Sequence, residues 1–151
     1  MVWGCITSKG VGRLYRIEGA MTGEYYTRIL FEALMGTLSD HKLKKGTFVF
    51  QQDNDPKHTS GVATAWFKKH HIPILPWPSH SPDMNIIEHV WGYLESIVHK
   101  HRPPPRNKDE LWAILQRAWA ELDLEYIQQL YQSMPRCVNA LRLAKGLYTK
   151  Y

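Results

Sequence analysis

Apolar residues in the first part of the chain follow two different spacings. Short apolar runs at Val2–Thr7 and Arg13–Ile17 flank the turn-forming segment Ser8–Gly12, and this arrangement predicts a β-hairpin. From about Gly23 to Leu38 the spacing changes to three and four residues, which predicts a helix capped by Thr22. The apolar face of that helix comprises Tyr26, Ile29, Leu30, Ala33 and Leu34.

The middle of the chain alternates predicted strands and helices. Residues 47–52 are rich in β-forming side chains and predict a buried strand, and residues 73–75 predict a second, shorter strand. Between them, residues 59–70 are predicted to be helical, with an inward face of Val62, Ala65 and Trp66. A loop rich in Pro and Ser follows.

Helices are predicted for the rest of the chain. The first runs from about Ile86 to His99 and stops before Pro103–Pro105, and Asn107 caps a second that ends near Leu122. Two more are predicted over residues 123–132 and 135–145. The apolar stripes of the first two comprise Ile87, Val90, Trp91, Leu94, Ile97 and Val98, and then Leu111, Leu115, Ala118 and Trp119. Together these elements favour a mixed α/β sheet with a helical C-terminal layer.

Composition limits the class of protein and its partners. The 151 residues are 44% apolar and 22% charged, as in a soluble globular domain. A formal charge of +5 favours an anionic partner such as nucleic acid, although a solvated basic surface would give the same value. Cys5 and Cys137 lack metal-ligand spacing, and the chain shows no signal peptide or membrane span. We therefore expect an intracellular protein.

Two carboxylates, Asp53 and Glu88, are candidates for a metal site, with 34 residues between them. Asp53 falls at the C-terminal end of a predicted strand, where open α/β sheets bind their ligands, and Glu88 falls in the first turn of a helix. Mg²⁺ prefers carboxylate oxygens, and two such ions about 4 Å apart can hold the attacking and leaving oxygens of a phosphodiester. The pair thus predicts phosphodiester chemistry.

Helix capping explains the same residues without a metal. Asp53–Pro56 has the composition of a turn and helix cap, and Asn85 with Glu88 fits an N-cap and its third helical residue. Asp55 and Asp83 are interpreted as structural. Spacing alone leaves both explanations open.

The phrases around the two carboxylates resemble a known family. Gln52–Ser60 reads QDNDPKHTS and resembles the sequence around the second catalytic Asp of Tc/mariner transposases. Trp77–Glu88 reads WPSHSPDMNIIE and resembles the phrase around their catalytic Glu, with the spacing typical of the Tc branch. Val2–Cys5 and Lys145–Tyr151 resemble two further parts of the family, so the resemblance covers essentially the whole chain.

The resemblance implies an RNase H-like fold and cut-and-paste DNA transposition in the nucleus with Mg²⁺ or Mn²⁺. Water first attacks a phosphodiester at the element's end, and the freed 3′-hydroxyl then attacks target DNA. On this basis Asp53 and Glu88 are the catalytic carboxylates and metal ligands. Lys57 and His58 would lie near the phosphates as positioning groups, although His58 could equally form a hydrogen bond at a helix terminus.

The family uses an Asp–Asp–Glu triad, and the first Asp has no counterpart in this sequence. The resemblance places it on a strand upstream of Val2–Cys5, and the family's N-terminal helix-turn-helix modules are absent too. We therefore expect residues 1–151 to be a single, partial catalytic domain without its central first strand. Alone, it should bind Mg²⁺ weakly and leave DNA uncleaved. Its exposed strand edges would pair with the hairpin or with a second copy in a homodimer.

The most basic stretch, residues 98–108, separates two predicted helices. Lys100, Arg102, Arg106 and Lys108 are predicted to contact DNA phosphates, whereas the alternative is a solvated loop. The expected partner is DNA, as transposon ends and as target, and no membrane is involved. Two functions remain open: an enzyme portion that acts with its upstream sequence, or a domesticated, catalytically inactive module that binds DNA or protein.

Overall fold

A computed structural model of the chain describes residues 1–77 and 84–143, which form two compact units. The first unit comprises Met1–Cys5 and residues 12–77, and the second comprises Ile6–Val11 and residues 84–143. The predicted role of Asp83 and the predicted end of the last helix, at residue 145, lie outside the described residues.

Among residues 1–77 and 84–143, four two-residue strands form two antiparallel pairs. In the first unit, β1 (Val2–Trp3) pairs with β4 (Tyr15–Arg16), and in the second unit β2 (Ile6–Thr7) pairs with β3 (Gly10–Val11). The predicted hairpin is confirmed, but its turn is shorter than expected because Gly10 and Val11 belong to a strand. Gly10 can begin β3 because its φ of 116° is accessible to glycine and strained for other residues.

One long helical stretch dominates the first unit, as the sequence predicts. It consists of α1 (Gly23–Ile29), a π-helical turn (Leu30–Leu34) and α2 (Met35–Asp40). Thr22 caps it by accepting a hydrogen bond at Oγ1 from Tyr25 N at 3.1 Å. All five residues of the predicted apolar face are buried.

Two hydrophobic clusters in the described part of the first unit share this helical stretch. The larger contains Cys5, Tyr26, Leu30, Leu34, Leu38, Ala63, Phe67 and Ile72, and the smaller contains Ile17, Ile29 and Ala33. The stretch therefore lies between two apolar layers and exposes only a narrow face.

The helix α3 (Gly61–His70) begins after Ser60, whose Oγ accepts a hydrogen bond from Ala63 N at 3.3 Å. Its predicted inward face was wrong for Val62, which is 45% exposed, and for the exposed Ala65, but correct for Trp66, which is half-buried against the core. The buried residues of α3 are Ala63 and Phe67. Tertiary contacts explain the difference. Helix α3 packs on α1, where the small Ala63 allows close approach, and Phe67 stacks on Phe50 with ring centroids 5.3 Å apart.

The two predicted strands at residues 47–52 and 73–75 reduce to one parallel bridge between Phe50 and Ile74. Phe50 N donates to Pro73 O, and Leu75 N donates to Phe50 O, each at 2.8 Å. The prediction that residues 47–52 form a buried strand was wrong, since Val49 is 57% exposed. β-Forming composition permits a strand, but only pairing with a neighbour creates one.

Three helices build the described part of the second unit: α4 (Ile87–Lys100), α5 (Lys108–Ala120) and α6 (Leu124–Leu143). Helix α4 packs on α5, and Trp91 stacks on Trp119 with centroids 5.4 Å apart. The predicted cap of α5 is confirmed, because Asn107 Oδ1 accepts from the backbone N–H groups of residues 109 and 110.

Helix α6 is continuous through Pro135, although the sequence predicts two separate helices there. Pro removes one helical N–H donor and usually ends a helix. Pro135 is exposed, so water can bond to the carbonyl group that loses this donor. No helix of residues 1–77 or 84–143 is long and apolar enough to cross a membrane.

Candidate functional site

The carboxylate of Asp53 is held on one side by its own loop. Asp53 follows the Phe50–Ile74 bridge, and its Oδ1 accepts a hydrogen bond from Asp55 N at 3.1 Å. The same oxygen lies 2.5 Å from His58 Nδ1. Within residues 1–77 and 84–143 no hydrogen bond reaches Oδ2, and the side chain is 59% exposed. Asp53 therefore offers a rigidly oriented oxygen to the surroundings.

His58 connects this carboxylate to the core. A carboxylate only accepts hydrogen bonds, so His58 Nδ1 carries the proton of the bond to Asp53. The imidazole ring lies over the fully buried Tyr26, with centroids 4.3 Å apart, and is only 16% exposed. His58 Nε2 is buried and has no hydrogen-bond partner among the described residues. The ring thus has one polar contact, and that contact is Asp53.

Gln52 fixes the backbone on which His58 sits. Tyr26 donates its hydroxyl proton to Gln52 Oε1 at 2.7 Å, and Gln52 Nε2 donates to His58 O at 3.1 Å. Burial raises the pKa of Tyr26 well above its ordinary value, so the hydroxyl remains a donor at any physiological pH. This donor determines which end of the Gln52 amide faces His58.

Asp55 is structural, as predicted from the sequence. Its Oδ1 accepts from Lys57 N at 2.8 Å, and its Oδ2 pairs with Lys57 Nζ at 2.9 Å. Its backbone carbonyl accepts from the N–H groups of His58 and Thr59. Burial raises the pKa of Asp55, but the hydrogen bonds from Lys57 outweigh burial and hold the pKa below its ordinary value. The turn that carries His58 therefore depends on an ionised Asp55.

Glu88 lies in the second unit, in the first turn of α4, and is exposed. Its backbone N donates to Asn85 O at 3.0 Å. Ile86 occupies the N-cap position of α4 and no side chain caps the helix, which does not support the alternative in which Asn85 is the cap. The carboxylate is thus placed by the helix terminus, whose dipole favours a negative charge.

The structure gathers Asp53, Asp55, Lys57 and His58 in one loop of the first unit, and it places Glu88 in the second. No group of three or more His, Cys, Asp or Glu side chains within the described parts of the chain could hold a metal ion. The donors that remain are carboxylate oxygens, which suit Mg²⁺ or Mn²⁺ when water and phosphate supply the other ligands. The residues present therefore fit such an ion.

Two of the four cations predicted to contact DNA are held by their own chain. Arg102 Nη1 donates to the carbonyl oxygens of His99 and His101, at 2.7 and 2.8 Å. Arg106 forms a bidentate pair with Glu110 and lowers the pKa of that carboxyl.

Lys100 and Lys108, the other two, are exposed, and their side chains form no ion pair or hydrogen bond with the described residues. They end α4 and begin α5, respectively. An anion could therefore reach these two ammonium groups without disturbing the fold.

The connection from Asp53 through His58 to Tyr26 and Gln52 was not predicted from the sequence. Tyr26 reads as one more apolar position of an amphipathic helix, and Gln52 has no periodic signal. The one available clue is that Gln52 adjoins Asp53 within the recognised phrase.

Comparison with known proteins agrees with this arrangement. The sequence model of the DDE superfamily endonuclease family matches residues 15–112. Over all 151 residues the chain is 44% identical to the Tc1 transposase of Caenorhabditis elegans and 43% identical to the Tcb1 transposase of Caenorhabditis briggsae. In both cases it covers 54% of the relative, so the chain spans about half the length of the curated relatives it matches.

Solved structures show the fold. The Mos1 transposase catalytic domain with Raltegravir and Mg matches 99% of this chain with a TM-score of 0.88 at 16% identity, covering 76% of that domain. The Mos1 mariner paired-end complex with Mn matches with a TM-score of 0.86, covering 44% of its chain. The RNase H-like fold is thereby confirmed. The chain belongs to the DDE superfamily endonuclease family, in its Tc/mariner transposase branch.

Proposed function

We propose that this chain supplies two metal-binding carboxylates, Asp53 and Glu88, to a catalytic domain that cleaves and joins DNA strands in transposition. One observation carries the proposal. Asp53 has one oxygen fixed by His58 and by the loop, while its other oxygen stays unbonded on a largely exposed side chain. A carboxylate that is both oriented and accessible is what a divalent cation requires of a ligand.

Mg²⁺ or Mn²⁺ is the proposed cofactor, because both take carboxylate oxygens. When bound, such an ion activates a water molecule as the nucleophile and neutralises charge on the phosphate. The protein's share of the work is positional: His58 keeps Asp53 in one direction, and the first turn of α4 directs Glu88. We propose that Lys57 and His58 act beside the bound phosphate as positioning groups, through Asp55 and Asp53 respectively.

DNA is the proposed partner, as transposon ends and as target. Solved Mos1 structures that share this fold include a paired-end complex with a left transposon end and a strand transfer complex, which supports the proposal. Lys100 and Lys108 would contribute most to phosphate binding because their ammonium groups are unengaged, whereas Arg102 and Arg106 would have to leave their present partners. Action on chromosomal DNA would place the protein in the nucleus.

Cleavage requires the third carboxylate of the Asp–Asp–Glu set, for which these 151 residues have no matching phrase. We propose that the chain cuts DNA only together with that carboxylate. A homodimer formed through strand edges stays a prediction.

Mn²⁺ binding to the chain tests the proposal directly. We expect electron paramagnetic resonance titration to show weak Mn²⁺ binding that Asp53→Asn reduces by about tenfold or more and that Glu88→Gln also reduces. Asp40→Asn is the matched control, since it removes a carboxylate of the same unit that already accepts two hydrogen bonds from Arg13. It should leave Mn²⁺ affinity unchanged. Equal Mn²⁺ affinity for the wild type and Asp53→Asn would exclude the proposed metal site.

A further inference from the structure

Two helices of the first unit end in the same hydrogen-bonded motif. At the end of α2, Leu43 N donates to Leu38 O at 2.8 Å and Lys42 N donates to Ser39 O at 3.0 Å. At the end of α3, Ile72 N donates to Phe67 O and His71 N donates to Lys68 O, both at 3.1 Å. This pair of bonds defines the Schellman motif, whose penultimate residue is left-handed. That residue is Lys42 in one helix and His71 in the other.

Both left-handed positions hold a side chain where glycine would be the least strained residue. Lys42 has a φ of 52° and His71 a φ of 54°, and both residues are exposed. Non-glycine residues are uncommon in this conformation, and Lys is not among those enriched there. His is among the residues enriched there, so Lys42 alone is the unusual case, and a strained position that keeps a lysine suggests that this side chain has a use outside the fold.

The two helix ends lie at the same end of the unit. Phe50 and Ile74 form a parallel bridge, so the chains leading into them approach from one side. Residues 42–47 lead into Phe50, and residues 68–71 lead into Ile74. Leu43 and Ile72, which close the two motifs, also join the same hydrophobic cluster. The side chains that project from both helix ends therefore share one surface.

That surface carries positive charge without matching acids. Residues 41–52 and 61–77 contain no Asp or Glu. Five exposed lysines stand in these segments: Lys42, Lys44, Lys45, Lys68 and Lys69. None of the five forms an ion pair with the described residues. The adjacent acid, Asp40, is occupied by a bidentate contact with Arg13 at 2.8 and 3.1 Å.

We propose that these five lysines, the lysine end, bind the phosphate backbone of duplex DNA. The lysine end precedes the Phe50–Ile74 bridge along the chain, whereas Asp53 follows it, so DNA on this surface lies at the opposite end of the bridged segment from Asp53. Clustered, unpaired cations match the regular negative charge of a duplex. That the bound polyanion is DNA rests on the proposed function. The excess of lysines over acidic residues on this surface is independent of that function.

Helix capping accounts for only part of the lysine end. Lys68 and Lys69 lie in the last turn of α3, where cations interact favourably with the helix dipole. Lys42, Lys44 and Lys45 follow α2 rather than lying within it, so the dipole gives no reason for them. If capping were the whole explanation, replacing lysines would lower stability and leave DNA binding unchanged.

Fluorescence anisotropy with a short duplex, between about 50 and 200 mM salt, tests the proposal. We expect the double variants Lys44→Gln/Lys45→Gln and Lys68→Gln/Lys69→Gln each to weaken binding, and to reduce the salt slope by about 0.9 for each phosphate that the variant no longer neutralises. Arg117→Gln/Arg136→Gln removes the same charge at exposed positions elsewhere and should change binding little. An equal loss of affinity in this control would overturn the proposal, because total charge would then explain the binding.

Lys100→Gln/Lys108→Gln separates this inference from the proposed function. If that variant alone weakens binding, the lysine end does not contact DNA and the proposed DNA-binding role of α4 and α5 stands. If the lysine-end variants alone weaken binding, the inference stands without those residues. If the wild type fails to bind duplex DNA at about 50 mM salt, both are wrong.

Lys42→Gly should raise the stability of the chain and lower its affinity for duplex DNA. Glycine relieves the left-handed strain, so we expect the melting temperature to rise by about 2 °C. The same change removes an ammonium group, so duplex affinity should fall. A rise in melting temperature with unchanged affinity would show that Lys42 has no role in DNA binding.

Discussion

His58 Nδ1 donates to Asp53 Oδ1 across 2.5 Å, while the face of the same imidazole rests on Tyr26, a residue with no exposed surface. An exposed carboxylate is thereby oriented by a ring that the hydrophobic core holds in place. Gln52 adds a second connection from Tyr26 to the backbone of His58. The direction of Asp53 is therefore a property of the core rather than of a flexible surface loop.

Replacing His58 should loosen this carboxylate. We expect His58→Ala to weaken Mn²⁺ binding by about tenfold, as is typical when the partner of a metal ligand is removed. His58→Asn places an amide N–H near the position of Nδ1 and should restore part of the affinity. Electron paramagnetic resonance titration gives the affinities, and ¹⁵N-edited NMR of the imidazole reports whether Nδ1 carries the proton. Wild-type Mn²⁺ affinity in His58→Ala would contradict a positioning role.

Asp55 should make the stability of the first unit sensitive to acid. Its pKa is lower in the folded chain than its ordinary value of 3.8, because hydrogen bonds from Lys57 favour the carboxylate. The sign follows from linkage: the stabilisation is complete above the ordinary pKa and is lost as the pH falls through the lower, folded value. Thermal unfolding from about pH 6 to 3 should therefore show wild type and Asp55→Asn converging towards acid. A difference that grows towards acid would refute this assignment.

Thr37 joins the chain near β4 to the helical stretch by hydrogen bonds at its hydroxyl. Thr37 is fully buried, accepts from Arg13 N at 2.8 Å and donates to Ala33 O at 2.8 Å. Thr37→Val keeps the shape and removes these two bonds together with a third, which Thr37 Oγ1 accepts from Cys5 Sγ at 3.5 Å, so it should lower the free energy of unfolding by about 1–3 kcal/mol. Thr37→Ser keeps the hydroxyl and loses one methyl group, so it should lower the free energy of unfolding by about 1 kcal/mol. Urea unfolding measures the free energy of unfolding of both variants. If Thr37→Ser lowered it more than Thr37→Val, packing of the methyl group would matter more than the hydrogen bonds.

Cys5 should be unreactive in the folded chain. Burial raises the pKa of its thiol from 9.0 to about 11. Since the thiolate is the reactive form, labelling of Cys5 at about pH 8 should proceed only when the unit opens, and it should accelerate strongly in urea. Cys137→Ala provides the background, because it leaves Cys5 as the one remaining thiol of the sequence.

The same shift has a consequence for stability at alkaline pH. The raised pKa favours the neutral thiol in the folded state, so its contribution is complete below pH 9 and is lost as the pH rises towards 11. The stability difference between wild type and Cys5→Ala should shrink over that interval. If labelling in native buffer were as fast as in urea, Cys5 would not be a core residue.

Local patterns sufficed where local and tertiary preferences agree. The helical stretch after Thr22 has an apolar face, a capping hydroxyl and no competing partner, and its predicted buried residues were all correct. Asn107 caps α5 as the sequence predicts, because its side chain bonds to the first backbone N–H groups of the helix and no tertiary contact within the described residues competes.

Predictions failed where a neighbour decides the outcome. The inward face of α3 is set by packing on α1 and on Phe50, so Ala63 is buried and the larger Val62 is not. Residues 47–52 have the composition of a strand, yet within the described residues Phe50 alone finds a β partner. Likewise, the motif singled out Asp53, but nothing in the spacing could show that Tyr26, 27 positions earlier, supports the histidine that holds it.

The π-helical turn at Leu30–Leu34 amounts to one extra residue in an otherwise regular helix. Each residue of an α-helix advances the side chains by about 100°. Deleting Phe31, which is 63% exposed and contributes nothing to either cluster, would thus rotate everything after it by nearly a third of a turn. Thr37 would then face away from Arg13 N, although no buried atom had been removed. The number of residues in this helix, and not only their identity, therefore determines which side chains face the core, so selection can act on an insertion or deletion here.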